Sequence, residues 1–99
     1  MTNYSNLPPH MQDTARRYVE RGVPGGSFFT SLVENNLVMS FSKADAVNLA
    51  YMEKWCTWLY WEAPSACWGS LEKSQAWIKN GGLDGLHKEE EESSNEDCI

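Results

Sequence analysis

The sequence has few of the residues that catalytic and metal-binding sites most often require. Its 99 residues include two histidines and three cysteines. The spacing of these five residues matches no zinc-binding pattern, and a zinc site needs three or four converging ligands. We therefore expect no metal centre and no cofactor, and we interpret the cysteines as reduced thiols of a cytosolic protein.

Long apolar runs are also missing. No run approaches the ~18 residues that a membrane-spanning helix needs. The first residues are polar, with Asn3, Ser5 and Asn6, and do not resemble a signal peptide. We expect a protein of the cytoplasm that does not insert into a membrane.

Positive charge is scarce, and the negative charge is unevenly distributed. Residues 88–99 contain one lysine and six carboxylates, a net charge of −5, which leaves −1 of the total −6 for the rest of the chain. A nearly neutral body lacks the basic surface that duplex nucleic acid requires. The acidic run is typical of a solvated, disordered segment, so residues 81–99 are predicted to form a disordered tail.

Glycine and proline are absent between Ser42 and Pro64, and this gap predicts one long helix. Ser42 and Asp45 have the spacing of a capping box, which satisfies free N–H groups at a helix start. The residue before a proline is disfavoured in helical conformation, so the helix should end near Glu62. About 20 residues at 1.5 Å per residue give a length of roughly 30 Å.

This predicted helix is apolar on nearly all sides. One face carries Val47, Tyr51, Trp55 and Trp58, and further apolar residues cover much of the opposite face. A helix of this kind is buried, either at the centre of its own bundle or against another chain. Because aromatic residues are enriched in interfaces, the following residues are candidates for a self-association surface: Tyr51, Trp55, Trp58 and Tyr60.

Shorter helices are predicted on both sides of the long one. The indicated spans are His10–Arg21, which begins after Pro8-Pro9 and stops at Gly22; Ser27–Asn35, with Ser27 as its cap; Leu37–Phe41; and Leu71–Lys79, capped by Ser70. The predicted fold is all-α, a small bundle of four to five helices around the long aromatic helix. The expected organisation is a flexible arm at residues 1–7, a helical domain at residues 8–80 and the tail at residues 81–99.

Several short motifs occur in order at fixed spacing in the body of the chain. They are Leu7-Pro8-Pro9-His10-Met11-Gln12, Arg17-Tyr18-Val19-Glu20, Gly25-Gly26-Ser27-Phe28, Asn35-Asn36-Leu37, Ala44-Asp45, and Ala63-Pro64-Ser65 with Cys67-Trp68-Gly69-Ser70. With these motifs, residues 7–78 resemble a family of small proteins encoded by bacteriophages and prophages, mostly of unassigned function. The resemblance implies a phage origin and a small helical fold, and it implies no catalytic mechanism.

Cys67 and His10 are the residues with the most reactive side chains near the predicted helix ends, and a structural role is favoured for both. The run Ser65-Ala66-Cys67-Trp68 is faintly similar to the nucleophile region of papain-like proteases, but that chemistry needs a histidine base and an orienting group. A packed thiol is the favoured interpretation of Cys67, and we expect no enzyme. His10 lies at a helix start, where the helix dipole disfavours a cation, so a neutral hydrogen-bonding role or simple exposure is expected.

Three arginines on the first helix favour either a ligand site or a solvated face. A nucleotide-like anion could bind where Arg17 meets the start of the Ser27 helix, with Trp68 stacked on a base. The alternative is that the arginines pair with Asp13 and Glu20 at i,i+4 spacing. The hypothetical binding set comprises His10, Arg16, Arg17, Ser27, Trp61 and Trp68.

Three functions follow from these observations. The first is a small phage accessory protein that binds a host protein in the host cytoplasm, for example an inhibitor of a host defence system. The second is an oligomeric sponge for a nucleotide signal. The third is a structural or regulatory phage protein.

Overall fold

The computed structural model describes residues 2–85, and these residues form an all-α fold, as predicted. The described chain contains six complete α-helices, two 3-10 helices and no strand. The 3-10 helices are Pro9–Met11 and Ser65–Cys67. The α-helices are α1 Gln12–Arg21, α2 Ser27–Val33, α3 Leu37–Lys43, α4 Ala46–Ala50, α5 Met52–Trp61 and α6 Leu71–Asn80.

Helix α1 forms as its sequence predicts. Gly22 ends the helix in the left-handed conformation, with φ of 69°, which glycine adopts without a steric penalty. The predicted i,i+4 ion pairs are both present on its exposed face. Arg17 Nη2 lies 2.7 Å from Asp13 Oδ2, and Arg16 Nε lies 3.7 Å from Glu20 Oε2.

Helix α2 begins one residue earlier than its predicted cap implies. Gly26 is the N-cap, and Ser27 is the first helical residue without a capping role. The predicted helical turn after it is confirmed as α3, which Asn36 caps by accepting a hydrogen bond from the Met39 N–H at 3.2 Å. The connecting residue Asn35 has a φ of 62°, a conformation that asparagine tolerates better than most residues.

The prediction of one long helix from Ser42 to Glu62 is wrong. Ser42 lies inside α3, where its hydroxyl donates to the Val38 carbonyl at 3.0 Å. Ala44 is extended, and Asp45 alone caps α4 by accepting from the Asn48 N–H at 2.7 Å. Tyr51, with φ of −98° and ψ of 8°, then separates α4 from α5. The span predicted as one helix therefore contains the end of α3 and two further short helices, α4 and α5.

Helix α5 lies at the centre of the core. Trp55 is fully buried, and its indole packs edge-to-face against Phe28, Phe29 and Trp58 with ring-centroid distances of 5.6, 5.9 and 5.9 Å. Edge-to-face contacts are a favoured geometry for aromatic rings. Trp55 and Trp58 are thus covered by their own chain, which corrects their assignment to a self-association surface. Tyr51 is half-buried, and only Tyr60 of that set is largely exposed.

The N-terminal residues are part of the packed domain. Leu7 is a buried member of the core, and the Tyr4 ring lies 6.0 Å from the ring of Trp58. The Leu7 N–H also donates to the Tyr4 carbonyl at 3.1 Å. The expectation of a flexible arm at residues 1–7 is therefore wrong for residues 2–7, because they cover one side of α5.

The packed domain also extends past its predicted end at residue 80. Helix α6 begins at the predicted cap, where Ser70 Oγ accepts from the Lys73 N–H at 3.2 Å, and Gly81 ends it. Beyond it, Gly82 is buried and Leu83 packs against the core. The predicted acidic tail, from residue 86 onward, lies outside the described residues.

The helices of the described chain are short. The longest have ten residues, and none in residues 2–85 has the length and apolar character needed to cross a bilayer.

Candidate functional site

The most exposed aromatic surface lies at the C-terminal end of α5. Trp61, the last residue of the helix, is 74% exposed, and Tyr60 before it is 69% exposed. Their ring centroids are 4.8 Å apart, so the two side chains form one continuous surface. The helix ends here near Glu62, as predicted, because Pro64 two residues later disfavours further helical turns.

Trp61 borders a cleft that has a volume of about 780 Å³. We call it the aromatic cleft. One wall comes from the N-terminal segment and the exposed side of α1, and the other from the end of α5 and the residues after α6. The lining residues are Thr2, Tyr4, Arg16, Glu20, Trp61, Glu62, Pro64, Leu83 and Asp84.

The charge of the aromatic cleft is negative. Glu20, Glu62 and Asp84 line it, and Arg16 is the one cationic residue among its lining residues in the described chain. Arg16 is held in place from two sides. Its guanidinium carbon lies 5.3 Å from the centre of the Tyr4 ring, and its Nε pairs with Glu20. The cleft therefore repels an anion and favours a cation, which the exposed Trp61 ring face would also attract.

Tyr4 connects the aromatic cleft to the core. Burial, together with the nearby carboxylate of Glu20, raises the pKa of Tyr4 to about 12, so its hydroxyl stays protonated at neutral pH. The same segment is fixed to the far wall, because the Asn3 N–H donates to Glu62 Oε2 at 3.4 Å. This hydrogen bond joins the two walls of the aromatic cleft, so the shape of the cleft depends on the N-terminal residues.

The proposed nucleotide site is not assembled. Gly69 donates its N–H to the Val33 carbonyl at 2.9 Å, which places the neighbouring Trp68 at the C-terminal end of α2. Ser27 lies at the opposite end of that helix, about 9 Å away at 1.5 Å per residue. Arg17 is paired with Asp13. Of the predicted binding set, Arg16 and Trp61 both line the aromatic cleft, and Arg16 and Arg17 both line a separate cleft of about 280 Å³ on α1.

Trp68 borders a different and mainly apolar pocket of about 270 Å³. This pocket lies between the α2–α3 connection and α5. We call it the apolar pocket. It is lined by Leu32, Asn35, Asn36, Leu37, Ser40, Met52, Cys56, Leu59, Tyr60 and Trp68.

His10 makes a structural contact rather than a ligand site. Its Nε2 lies 3.2 Å from Asp45 Oδ2, so it connects the first 3-10 helix to the cap of α4. The pKa of Asp45 is lowered chiefly because the carboxylate accepts the Asn48 N–H, with a further contribution from His10. Nowhere in residues 2–85 do three histidine, cysteine or acidic side chains converge as a metal site would need.

Cys67 is a packed thiol with no contact to a base. It is fully buried, and burial raises the pKa of its thiol to about 12. A thiol that holds its proton this strongly is a poor nucleophile, since the thiolate is the reactive form. Its carbonyl accepts a hydrogen bond from the buried Tyr18 hydroxyl at 2.6 Å, and burial also raises the pKa of Tyr18 to about 12.

These buried acids predict alkaline unfolding. An unfolded thiol loses its proton near pH 9, whereas the folded one does not, so the free energy of unfolding should fall as pH rises from about 9. The loss per group is about 1.4 kcal/mol per pH unit. In urea unfolding between about pH 8 and pH 10, Cys67→Ala should flatten this dependence, and the exposed Cys56→Ala should not. Equal slopes in both variants would contradict the prediction.

Sequence reasoning missed several lining residues of the aromatic cleft. Tyr4 and Glu62 were assigned to the arm and to the end of a helix, with no role in binding. The spacing of Arg16 and Glu20 indicated their ion pair, but no local signal brings residue 4 beside residues 61–62. A contact between positions almost 60 residues apart depends on the tertiary fold.

Comparison with known proteins gives no match. No protein-family model matches the chain, no curated protein is similar to it, and no solved structure matches it. The resemblance to phage-encoded proteins stays a prediction.

Proposed function

We propose that this protein is not an enzyme and acts by binding another protein at the aromatic cleft, with Trp61 as the central contact. The observation that carries the proposal is the 74% exposure of Trp61 beside the similarly exposed Tyr60. Tryptophan is usually largely buried, and tryptophan and tyrosine are enriched among the residues that dominate binding energy.

The charge of the cleft indicates the chemistry of the partner. Glu20, Glu62 and Asp84 outnumber Arg16, and Glu20 is already paired with that arginine. A lysine or arginine side chain of the partner would meet Glu62 and Asp84 and lie against the ring of Trp61. The partner therefore presents a basic segment.

The resemblance to phage-encoded proteins supports a more specific role. In that role the protein is a phage accessory protein in the host cytoplasm, and its partner is a host component. It acts by occupying the partner's surface in a stoichiometric complex, and inhibition of a host defence system is one such effect. A structural or regulatory phage protein would use the same surface with a different consequence.

The nucleotide sponge has less support from the geometry. An anionic ligand beside Arg16 would lie among three carboxylates, and Trp68 borders a separate pocket. Native mass spectrometry of the protein purified from host cells tests this alternative. A retained mass in the nucleotide range would contradict protein binding as the primary role.

The test of protein binding compares wild type with Trp61→Ala. Tagged full-length chains are used for capture from host lysate, and the dissociation constant is then measured with the purified partner. Loss of a central aromatic contact should raise that constant by about 30-fold, equivalent to about 2 kcal/mol. The partner should also dissociate at high salt, since charge pairs contribute to the contact.

Leu71→Ala is the matched control, because Leu71 is also half exposed and does not line the cleft. This variant should bind like wild type. Retention of the same partner with unchanged affinity by Trp61→Ala would contradict the assignment of the cleft. Circular dichroism of both variants checks that the helical content is unchanged.

A further inference from the structure

Helix α3 carries its apolar side chains on the outside. Its one buried residue is Ser40, whereas Val38 is 73% exposed. A surface helix normally turns its apolar residues toward the core. The outward apolar residues, with their exposed fractions, are Leu37 62%, Val38 73%, Met39 40% and Phe41 47%.

These residues form one continuous face. At 100° per residue, the arc opposite Ser40 passes through Leu37, Phe41, Val38 and Ser42. None of these side chains is charged, and Lys43 lies beyond the arc. The buried Ser40 hydroxyl is satisfied within the helix, since it donates to the Asn36 carbonyl at 2.7 Å.

Hydrogen bonds fix the position of α3, and its apolar face continues to a residue of α5. The Asn36 side chain caps the helix, and the Asn36 N–H donates to the Ser31 carbonyl at 2.9 Å, which anchors α3 to α2. Leu37 and the exposed Tyr60 both line the apolar pocket. The outward face of α3 and Tyr60 therefore belong to one apolar surface, which we call the α3 face.

We propose that the α3 face joins two copies of this chain in a symmetric dimer, with α3 of one copy packed on α3 of the other. In a twofold contact the same patch occurs on both sides. A charged residue near the twofold axis would lie opposite the same charge on the other copy. The α3 face contains no charged residue. The earlier expectation of self-association thus moves from the tryptophans of α5 to α3.

The available area fits a weak dimer. The exposed fractions on α3, with that of Tyr60, amount to on the order of 350 Å² of apolar surface per copy, at about 120 Å² for a fully exposed side chain. Two copies would bury about 700 Å² of apolar surface, or roughly 1,000 Å² in total at the apolar share of homodimer interfaces. That total lies at the lower limit for a specific interface.

The chain's own acidic segment is a poor alternative occupant. Residues 88–99 contain six carboxylates and few apolar side chains. An apolar face without a cation offers such a segment neither charge pairing nor apolar complementarity. A second copy provides a surface of the same apolar kind.

Sedimentation velocity of the full chain from about 1 µM to about 1 mM tests the proposal. Wild type should shift from monomer to dimer within that range. Val38→Glu places a carboxylate on each side of the apolar contact, where an unpaired charge is costly, so it should weaken dimerisation by at least about tenfold. The high exposure of Val38 means that the fold itself should tolerate the change.

Leu71→Glu is the control, because it adds the same charge at a half-exposed leucine of α6. It should dimerise like wild type. A wild-type chain that stays monomeric throughout would assign the α3 face to a different protein and overturn the proposal. Dimerisation of Val38→Glu at the wild-type concentration would also overturn it.

Discussion

Gly22→Ala should lower the free energy of unfolding by about 2–5 kcal/mol. Gly22 has a φ of +69°, and an added Cβ would lie 2.8 Å from the Gly82 nitrogen and 2.9 Å from the Trp77 carbonyl oxygen. Both neighbours are backbone atoms and cannot rotate away. The left-handed conformation costs a non-glycine residue about 1–2 kcal/mol, and crowding in a packed region adds about 1–3 kcal/mol.

Gly26→Ala is the matched control. Gly26 has a φ of −71°, and a Cβ added there would meet no atom within 4 Å. Alanine restricts the unfolded chain, which stabilises by about 0.4–1 kcal/mol, but it is a poorer N-cap than glycine. These effects oppose each other, so the stability should stay within about 1 kcal/mol of wild type.

Urea unfolding of both variants measures the difference. If Gly22→Ala were as stable as wild type, the C-terminal ends of α1 and α6 would not approach each other as the structure shows. Because total stability is commonly about 5–15 kcal/mol, the expected loss at Gly22 is a large part of it. Substitutions at this contact between the ends of α1 and α6 should therefore destabilise the small domain strongly.

The parts of the fold that the sequence predicted are those with strong local signals. Gly22 at the end of α1 and Ser70 at the start of α6 act through their own backbone neighbours. The ion pairs of α1 depend only on i,i+4 spacing. For such features, the residues that form the contact are close together in the sequence.

The break between α3 and α5 has no comparable signal. Residues 43–51 contain neither glycine nor proline, and helix propensity is a weak guide where tertiary packing decides. Ser42 could start a helix or lie inside one, and it forms an internal hydrogen bond to Val38. Ala44 leaves the helical conformation at a position that packs against the core.

Periodicity also could not show which apolar face is covered. With apolar residues on nearly all sides of α5, the sequence left open whether Trp55 or Trp61 is buried. The choice is made by Tyr4, Phe28 and Phe29, which pack on one side of the helix. The same packing leaves Trp61 exposed and forms the aromatic cleft. The location of the candidate site therefore depends on tertiary contacts, which the local sequence does not show.

Trp55→Phe should destabilise the protein by about 2–6 kcal/mol more than Trp58→Phe, although both indoles are buried in α5. Trp55 Nε1 donates to Asn48 Oδ1 at 3.2 Å. Phenylalanine at position 55 would leave that buried oxygen of Asn48 without its partner, at a cost of about 1–3 kcal/mol. The smaller ring also leaves a cavity at either position.

Trp58 differs because its Nε1 is buried and has no hydrogen-bond partner among the described residues. Phenylalanine at position 58 would remove this unpaired donor and with it a desolvation cost of about 1–3 kcal/mol in the folded state. That gain in stability offsets the loss caused by the cavity that the smaller ring leaves. Trp58→Phe should therefore be nearly neutral in urea unfolding. Equal losses in both variants would contradict the prediction and would show that the Trp58 N–H has a hydrogen-bond partner in solution.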